Sequence, residues 1–134
     1  MPFAKSHQGL RKLRGRIAET YACAYLERKG CKILARNYRF SGGELDIIAK
    51  NAKDEILFIE VKSVWEYGTG SADSRVGALK QKKIWQTATK FLQENGGLEQ
   101  LSRFDVVAFD FRKEKMKMNY YKNAFISNKV VYHI

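Results

Sequence analysis

Glu44-Leu45-Asp46-Ile47-Ile48-Ala49-Lys50 and Glu55-Ile56-Leu57-Phe58-Ile59-Glu60-Val61-Lys62-Ser63, separated by Asn51-Ala52-Lys53-Asp54, decide how this chain folds. Both runs are rich in β-branched and aromatic residues, and a tight turn lies between them. The pattern predicts a β-hairpin. A three-residue loop, Ala52–Asp54, sets Asp46 opposite Glu60 and Glu44 opposite Lys62; a two-residue turn would break that alignment. Side chains alternate across a strand. Leu45, Ile47, Ala49, Leu57, Ile59 and Val61 then form one apolar face, and Glu44, Asp46, Glu60 and Lys62 gather on the other, at one end of the hairpin. The first face is core. The second needs either a task or paired charges.

Asp46 opposite Glu60 is the odd pair, because like charges facing each other destabilise a sheet. A divalent cation between them removes that cost. Mg²⁺ takes few protein ligands, prefers carboxylate oxygens and keeps several waters. Lys62, two residues along the same face, is placed to orient a water or to offset charge on a phosphate. Two carboxylates and a lysine around one metal are the minimum set for hydrolysing a phosphodiester. The competing reading is a cross-strand ion-pair cluster, Glu44 with Lys62 and Asp46 with an arginine.

Working outward, a helix precedes the hairpin, from Leu10 or Gly15 to Lys29. Ile17, Ala18, Tyr21, Ala22, Tyr25 and Leu26 share one side, and Gly30 ends it. Glu19 lies at the edge of that apolar stripe and points to the sheet margin, a candidate third acidic group beside Asp46 and Glu60. Cys31–Phe40 is an extended run, and Ser41-Gly42-Gly43 a turn. After the hairpin, Trp65–Gly77 is rich in Gly, Ser, Thr and Asp and reads as a loop. A second helix runs from Val76 to Glu94, with Gln81, Ile84, Trp85, Ala88 and Leu92 on one side. Gln81 can reach Lys62, a water or a phosphate, or can simply be a first-turn helix residue. Phe104–Phe111 and Met116–Phe125 are two further strands. The order is α-β-β-β-α-β-β, an α/β class whose natural packing is a mixed central sheet flanked by helices. Trp65 and Tyr67, beside Lys62, either stack on an unpaired base or cover the edge of the core.

The chain has 134 residues, 45% of them hydrophobic and 13% aromatic, which suits a single domain with a real core and excludes a disordered chain. Residues 1–14 read as a basic arm and 15–134 as the domain. The apolar runs are far short of a membrane span, and no apolar stretch backs the basic start as a secretory leader would. Cys23 and Cys31 sit among apolar neighbours, as reduced thiols do. Together these lead us to expect a cytoplasmic protein with no membrane partner. The net charge is +11, and the first forty residues, with ten basic against two acidic, hold eight of it. One-sided positive charge is the footprint of a polyanion binder or a solubilising surface. The candidate phosphate contacts are Arg11, Lys12, Arg14, Arg16, Arg36 and Arg39, with Lys80, Lys82 and Lys83 on the second helix; such contacts give salt-dependent affinity without sequence preference.

Five motifs, in this order, carry a resemblance. They are Gly15, Glu19 and Ala22; Ala35-Arg36-Asn37-Tyr38-Arg39; Gly43-Glu44-Leu45-Asp46-Ile47-Ile48-Ala49; Phe58-Ile59-Glu60-Val61-Lys62 followed by Lys80-Gln81; and Arg103-Phe104-Asp105-Val106-Val107. The chain resembles the bacterial YraN family from about Gly15 to Phe109. That family is similar to the archaeal Holliday-junction resolvases and stands with the restriction-endonuclease-like nucleases. The resemblance implies a restriction-endonuclease-like sheet, with Asp46, Glu60 and Lys62 as the nuclease signature and Glu19 as the first-helix acid. Gln81 falls after the family's lysine. The chain departs at Val64, where arginine is common, at Ala18, where glycine is frequent, and at Asn51, where aspartate is frequent.

Three functions follow as expectations. The first is a Mg²⁺- or Mn²⁺-dependent DNA endonuclease acting on branched or otherwise irregular DNA. Asp46, Glu60 and the Val61 carbonyl would hold the metal, Lys62 the attacking water, and Glu19 and Gln81 would assist. A homodimer would put two sites on the two strands of a symmetric junction. The second is a nucleic-acid-binding protein on the same fold, without catalysis. The third is an interaction protein that docks a partner through the Trp65–Gly77 loop.

Overall fold

In the computed structural model, residues 7–67 and 76–124 are described. Asn51 builds the hairpin turn. Its Oδ1 accepts from the Lys53 and Glu55 N–H groups at 3.0 and 2.9 Å, and its own N–H reaches Glu55 O at 3.0 Å. Asp54 takes a positive φ of 67° to close the loop. Strand β2 (Gly43–Lys50) and strand β3 (Ile56–Val64) therefore pair antiparallel as Lys50↔Ile56, Ala49↔Leu57, Ile48↔Phe58 and Ile47↔Ile59, the register of the three-residue loop.

Around this hairpin lie α1 (His7–Arg28), β1 (Lys32–Phe40), α2 (Ala78–Glu94), β4 (Ser102–Asp110) and β5 (Lys117–Tyr121). The element order is the expected α-β-β-β-α-β-β. The sheet runs β1-β2-β3-β4-β5, with β3 and β4 parallel and every other pair antiparallel. A parallel pair needs a crossover, and α2 lies within it. Each helix covers one face of the sheet. Ala18, Ala22, Cys23 and Leu26 of α1 pack on Ile47, Ala49, Leu57, Ile59, Val107 and Phe109. Ile84, Ala88, Phe91 and Leu92 of α2 pack on Leu45, Ile48, Ile56 and Phe58. With both faces covered, β2 and β3 read as nearly continuous apolar runs. At Gly43 α2 comes so close that a Cβ would stand 2.3 Å from Thr87 Oγ1 and 2.6 Å from Lys83 O.

Three expectations change. Leu45 does not share a face with Ile47: the two lie in opposite layers. Across from them in β1, Asn37 adopts a positive φ of 53°, and the pairing passes from Arg36↔Ile47 to Tyr38↔Leu45. The alternation of β2 thus slips by one residue beside Asp46, while the register shift in the β1–β2 pairing lies elsewhere, between Ile33 and Ala35. The boundary between arm and domain at residue 14 is not an element boundary either, because α1 already runs from His7. The helix carries two glycines, Gly9 and Gly15, and each lowers helix stability by only about 1 kcal/mol. The last strand is Lys117–Tyr121, shorter than Met116–Phe125. Most of the Gly/Ser loop, the first six residues and Phe125 lie outside the described residues. No helix among the described residues is long and apolar enough to cross a membrane.

Candidate active site on the central hairpin

The site begins where the β2–β3 ladder ends. Ile47↔Ile59 is its last pair. One residue further, Asp46 Oδ2 accepts the Val61 N–H at 2.7 Å. A side chain thus stands where a backbone carbonyl would complete the ladder. Strand β3 loses nothing in rigidity, because its parallel pairing with β4 continues from Ile56 to Val64. Glu60, Val61 and Lys62 are therefore fixed in one extended stretch while β2 delivers a carboxylate sideways into it.

Burial pushes the Asp46 carboxyl up to about 8. The charge of Glu60 adds to the rise and that of Glu19 adds less, while the Val61 N–H and Lys80 pull the other way. Glu60 is buried at 7% exposure. Its Oε2 is ion-paired with the Lys80 ammonium, which arrives from the first turn of α2. Burial alone would lower the Lys80 pKa. The bond to Glu60 and the charges of Glu60, Asp46 and Glu44 outweigh it, and the net shift is upward. Lys80, expected among the phosphate contacts, is thus the cation of the carboxylate cluster. Lys62 leaves β3 on the side of Glu60 and is half-buried. Glu44 pairs with Arg39 at 3.3 Å.

The flanking candidates divide. Glu19 is 13% exposed at its side chain, pairs with Arg36 Nη2 at 3.6 Å and accepts from Asn37 Nδ2 at 3.4 Å. Its charge is felt at Asp46, so α1 does bring a third acid to the margin of the pair. Gln81 Nε2 donates to Val76 O at 2.6 Å, which ties the start of α2 to the chain before it. Among the described residues no group of three or more His, Cys, Asp or Glu is arranged to hold a metal. The donor chemistry of Asp46 and Glu60 nevertheless suits Mg²⁺, which needs only one or two carboxylates and keeps its waters. Asp46 has one oxygen committed to the Val61 N–H, and burial first, with the charge of Glu60 second, disfavours its ionised form.

Among the candidate phosphate contacts, Arg11, Lys12 and Arg16 are exposed on α1, and Lys82 and Lys83 on α2. Arg14 is held by Glu66 at 2.9 Å and lies over the Trp65 ring at 5.0 Å. Arg36, Arg39 and Lys80 are in the ion pairs given above. Trp65 stacks on Phe111 with centroids 4.0 Å apart and 16° between planes, and its Nε1 donates to Ser63 Oγ at 3.0 Å. It covers the core edge. Sequence reasoning missed the partnership of Lys80 with Glu60. The only signal was that Lys80 precedes Gln81 at a helix start.

A sequence model described as "Uncharacterised protein family UPF0102" matches residues 18–109. A "UPF0102 protein" of Anaeromyxobacter sp. (strain Fw109-5) is 37% identical over 125 residues, covering 93% of each chain. One from Desulforapulum autotrophicum is 40% identical over 111 residues, covering 83% of this chain and 91% of the relative. A solved structure, "The structure of Pyrococcus Furiosus SfsA in complex with Ca2+", overlaps with a TM-score of 0.39 at 15% identity, over 84% of this chain and 63% of that one. That overlap is too loose to bear on activity.

Proposed function

The chain belongs to the UPF0102 family, and from that premise we propose that it is a metal-dependent endonuclease hydrolysing phosphodiesters in branched or otherwise irregular DNA. The observation behind the reading is the pair of half-buried Asp46 and buried Glu60, with Lys62 two residues on along a rigid strand. Asp46, Glu60 and the Val61 carbonyl are the groups that would hold Mg²⁺ or Mn²⁺. When bound, the ion supplies Lewis-acid polarisation of a phosphoryl oxygen and a lowered pKa for water. Lys62 orients the attacking water and offsets charge that develops on the phosphate. Glu19 holds its negative charge towards Asp46 from the α1 side. Gln81 fixes the start of α2, from which Lys80 reaches Glu60. Arg11, Lys12 and Arg16 on α1, and Lys82 and Lys83 on α2, grip the DNA backbone. A two-fold homodimer would place two such sites on the two strands of a junction.

Labelled four-way junction, flap, linear duplex and single-stranded DNA, offered with Mg²⁺, Mn²⁺ or chelator, test this. Cutting is expected only with metal, preferentially on the branched substrates, and is lost in Asp46→Ala and Lys62→Ala. Metal-dependent cutting that survives Asp46→Ala sinks the assignment. One observation favours a second reading. The Lys80 ammonium is ion-paired with Glu60, as a binding module whose acidic cluster is a structural ion pair would have it. That module binds nucleic acid equally with and without Mg²⁺ and is indifferent to Lys62→Ala.

A further inference from the structure

The end of the sheet away from Asp46 and Glu60 holds a cavity of ≈310 Å³, lined by both helical and strand residues. That is the small end of the range that ligand sites occupy. Tyr25 and Tyr120 form an aromatic wall, their ring centroids 5.5 Å apart. Lys29, Lys53, Arg103 and Lys122 also line it, with Glu55 as the acid among them. The wall is held in place at some cost. Asp105 is fully buried, and burying a carboxylate is unfavourable unless it is closely paired. Both Asp105 oxygens accept Arg103 Nε at 3.0 and 3.1 Å; one also accepts the Tyr120 hydroxyl at 2.6 Å, and the other the Asn123 N–H at 3.0 Å. Its two side-chain partners are thus the cation and the aromatic ring of one cavity.

Arg103 Nη1 reaches Glu55 at 3.4 Å, while Nη2 makes no hydrogen bond to a described residue. Lys53 and Lys122 are exposed and form no ion pair among the described residues. The cavity therefore offers donors for an anion next to an apolar, aromatic floor that includes Leu26 and Leu57. A bare phosphate would leave that floor uncovered. We propose that this cavity binds a nucleoside 5′-monophosphate unit, with the phosphate against Lys53, Lys122 and Arg103 and the base against Tyr25 and Tyr120. The unit is either a free nucleotide or the 5′-terminal nucleotide of a strand. The site is distinct from the carboxylate pair. It lies on the α1 face, and Glu55 precedes Glu60 by five residues, about 16 Å along a strand.

Equilibrium titration of the full chain with AMP, inorganic phosphate, and one oligonucleotide made with a 5′-phosphate and with a 5′-hydroxyl tests this. Wild type should bind AMP more tightly than phosphate. The double variant Lys53→Ala/Lys122→Ala should bind AMP roughly tenfold more weakly per lysine removed. Both lysines are exposed, so an unchanged urea midpoint will show that the fold is intact. AMP binding equal to or tighter than that of the 5′-phosphorylated strand supports a free nucleotide as the source. Tighter binding of the 5′-phosphate strand than of AMP or the 5′-hydroxyl strand supports a strand end. Equal AMP affinity in wild type and the double variant, or no AMP binding by wild type, overturns the proposal.

Discussion

Asp46→Asn should stabilise the metal-free protein, and by more as the pH rises. The folded protein holds the Asp46 carboxyl at about 8 against an ordinary 3.8, first through burial and then through the charge of Glu60. Between about pH 4 and 8 the folded state therefore keeps a proton that the unfolded chain has released. Stability from this group is fully present near pH 4 and is lost as the pH climbs through the folded pKa. At pH 7 the gap is about three pH units at about 1.36 kcal/mol each, or about 4 kcal/mol. Coupling to Glu60 spreads the transition, so about 2–4 kcal/mol is expected to appear by pH 7.5. Asparagine has nearly the same size, carries no charge, and can still accept the Val61 N–H. Urea unfolding of both proteins in EDTA, in steps from about pH 4.5 to 8, should show the variant pulling ahead by that amount. The other titrating groups are shared, so the difference reports Asp46 together with its coupling to Glu60 and Lys80. A constant difference across the range, or wild type gaining on the variant as pH rises, refutes the reasoning. Mg²⁺ sharpens the test. A cation between the carboxylates favours ionised Asp46, so Mg²⁺ at pH 8 should stabilise wild type and not Asp46→Asn, and an equal response in both speaks against a metal at this pair.

Lys80→Met leaves Glu60 buried without its cation. Because Lys80 is 57% exposed at its side chain and solvent screens the pair, the expected loss is about 1–2 kcal/mol, read by urea unfolding at pH 7; no loss would mean the pair does not form in solution. Asp105→Ala strands Arg103 and the Tyr120 hydroxyl in a buried site and should cost about 3–5 kcal/mol, visible as a large fall in the urea midpoint. The two glycines should respond with opposite sign in thermal melts. Gly43→Ala forces a Cβ onto Thr87 and Lys83 O and should destabilise by about 1–3 kcal/mol, whereas Gly15→Ala, with nothing within 4 Å, should stabilise by about 0.5–1 kcal/mol.

The hairpin register was legible in the sequence because everything that sets it is local. Asn51 supplies the turn bonds, the loop length follows, and β2 and β3 are buried on both faces, so a slipped pairing would misplace every side chain. The same local logic placed Asp46 near Glu60 and gave the order of elements, since periodicity within each run is enough to tell strand from helix. Two features needed the assembled sheet. Leu45 and Ile47 part into opposite layers across from Asn37 of β1, which takes a positive φ, and no pattern within β2 encodes the backbone of a neighbouring strand. Lys80 reaches Glu60 across twenty residues, and Asp105, beside Arg103 of its own strand, also collects Tyr120 from β5 and Asn123 from the turn that follows. Partners of that kind are chosen by where the crossover helix and the edge strand settle on the sheet. That position is decided by packing among all the elements, so only the tertiary structure decides whether a buried carboxylate meets a cation from another part of the chain.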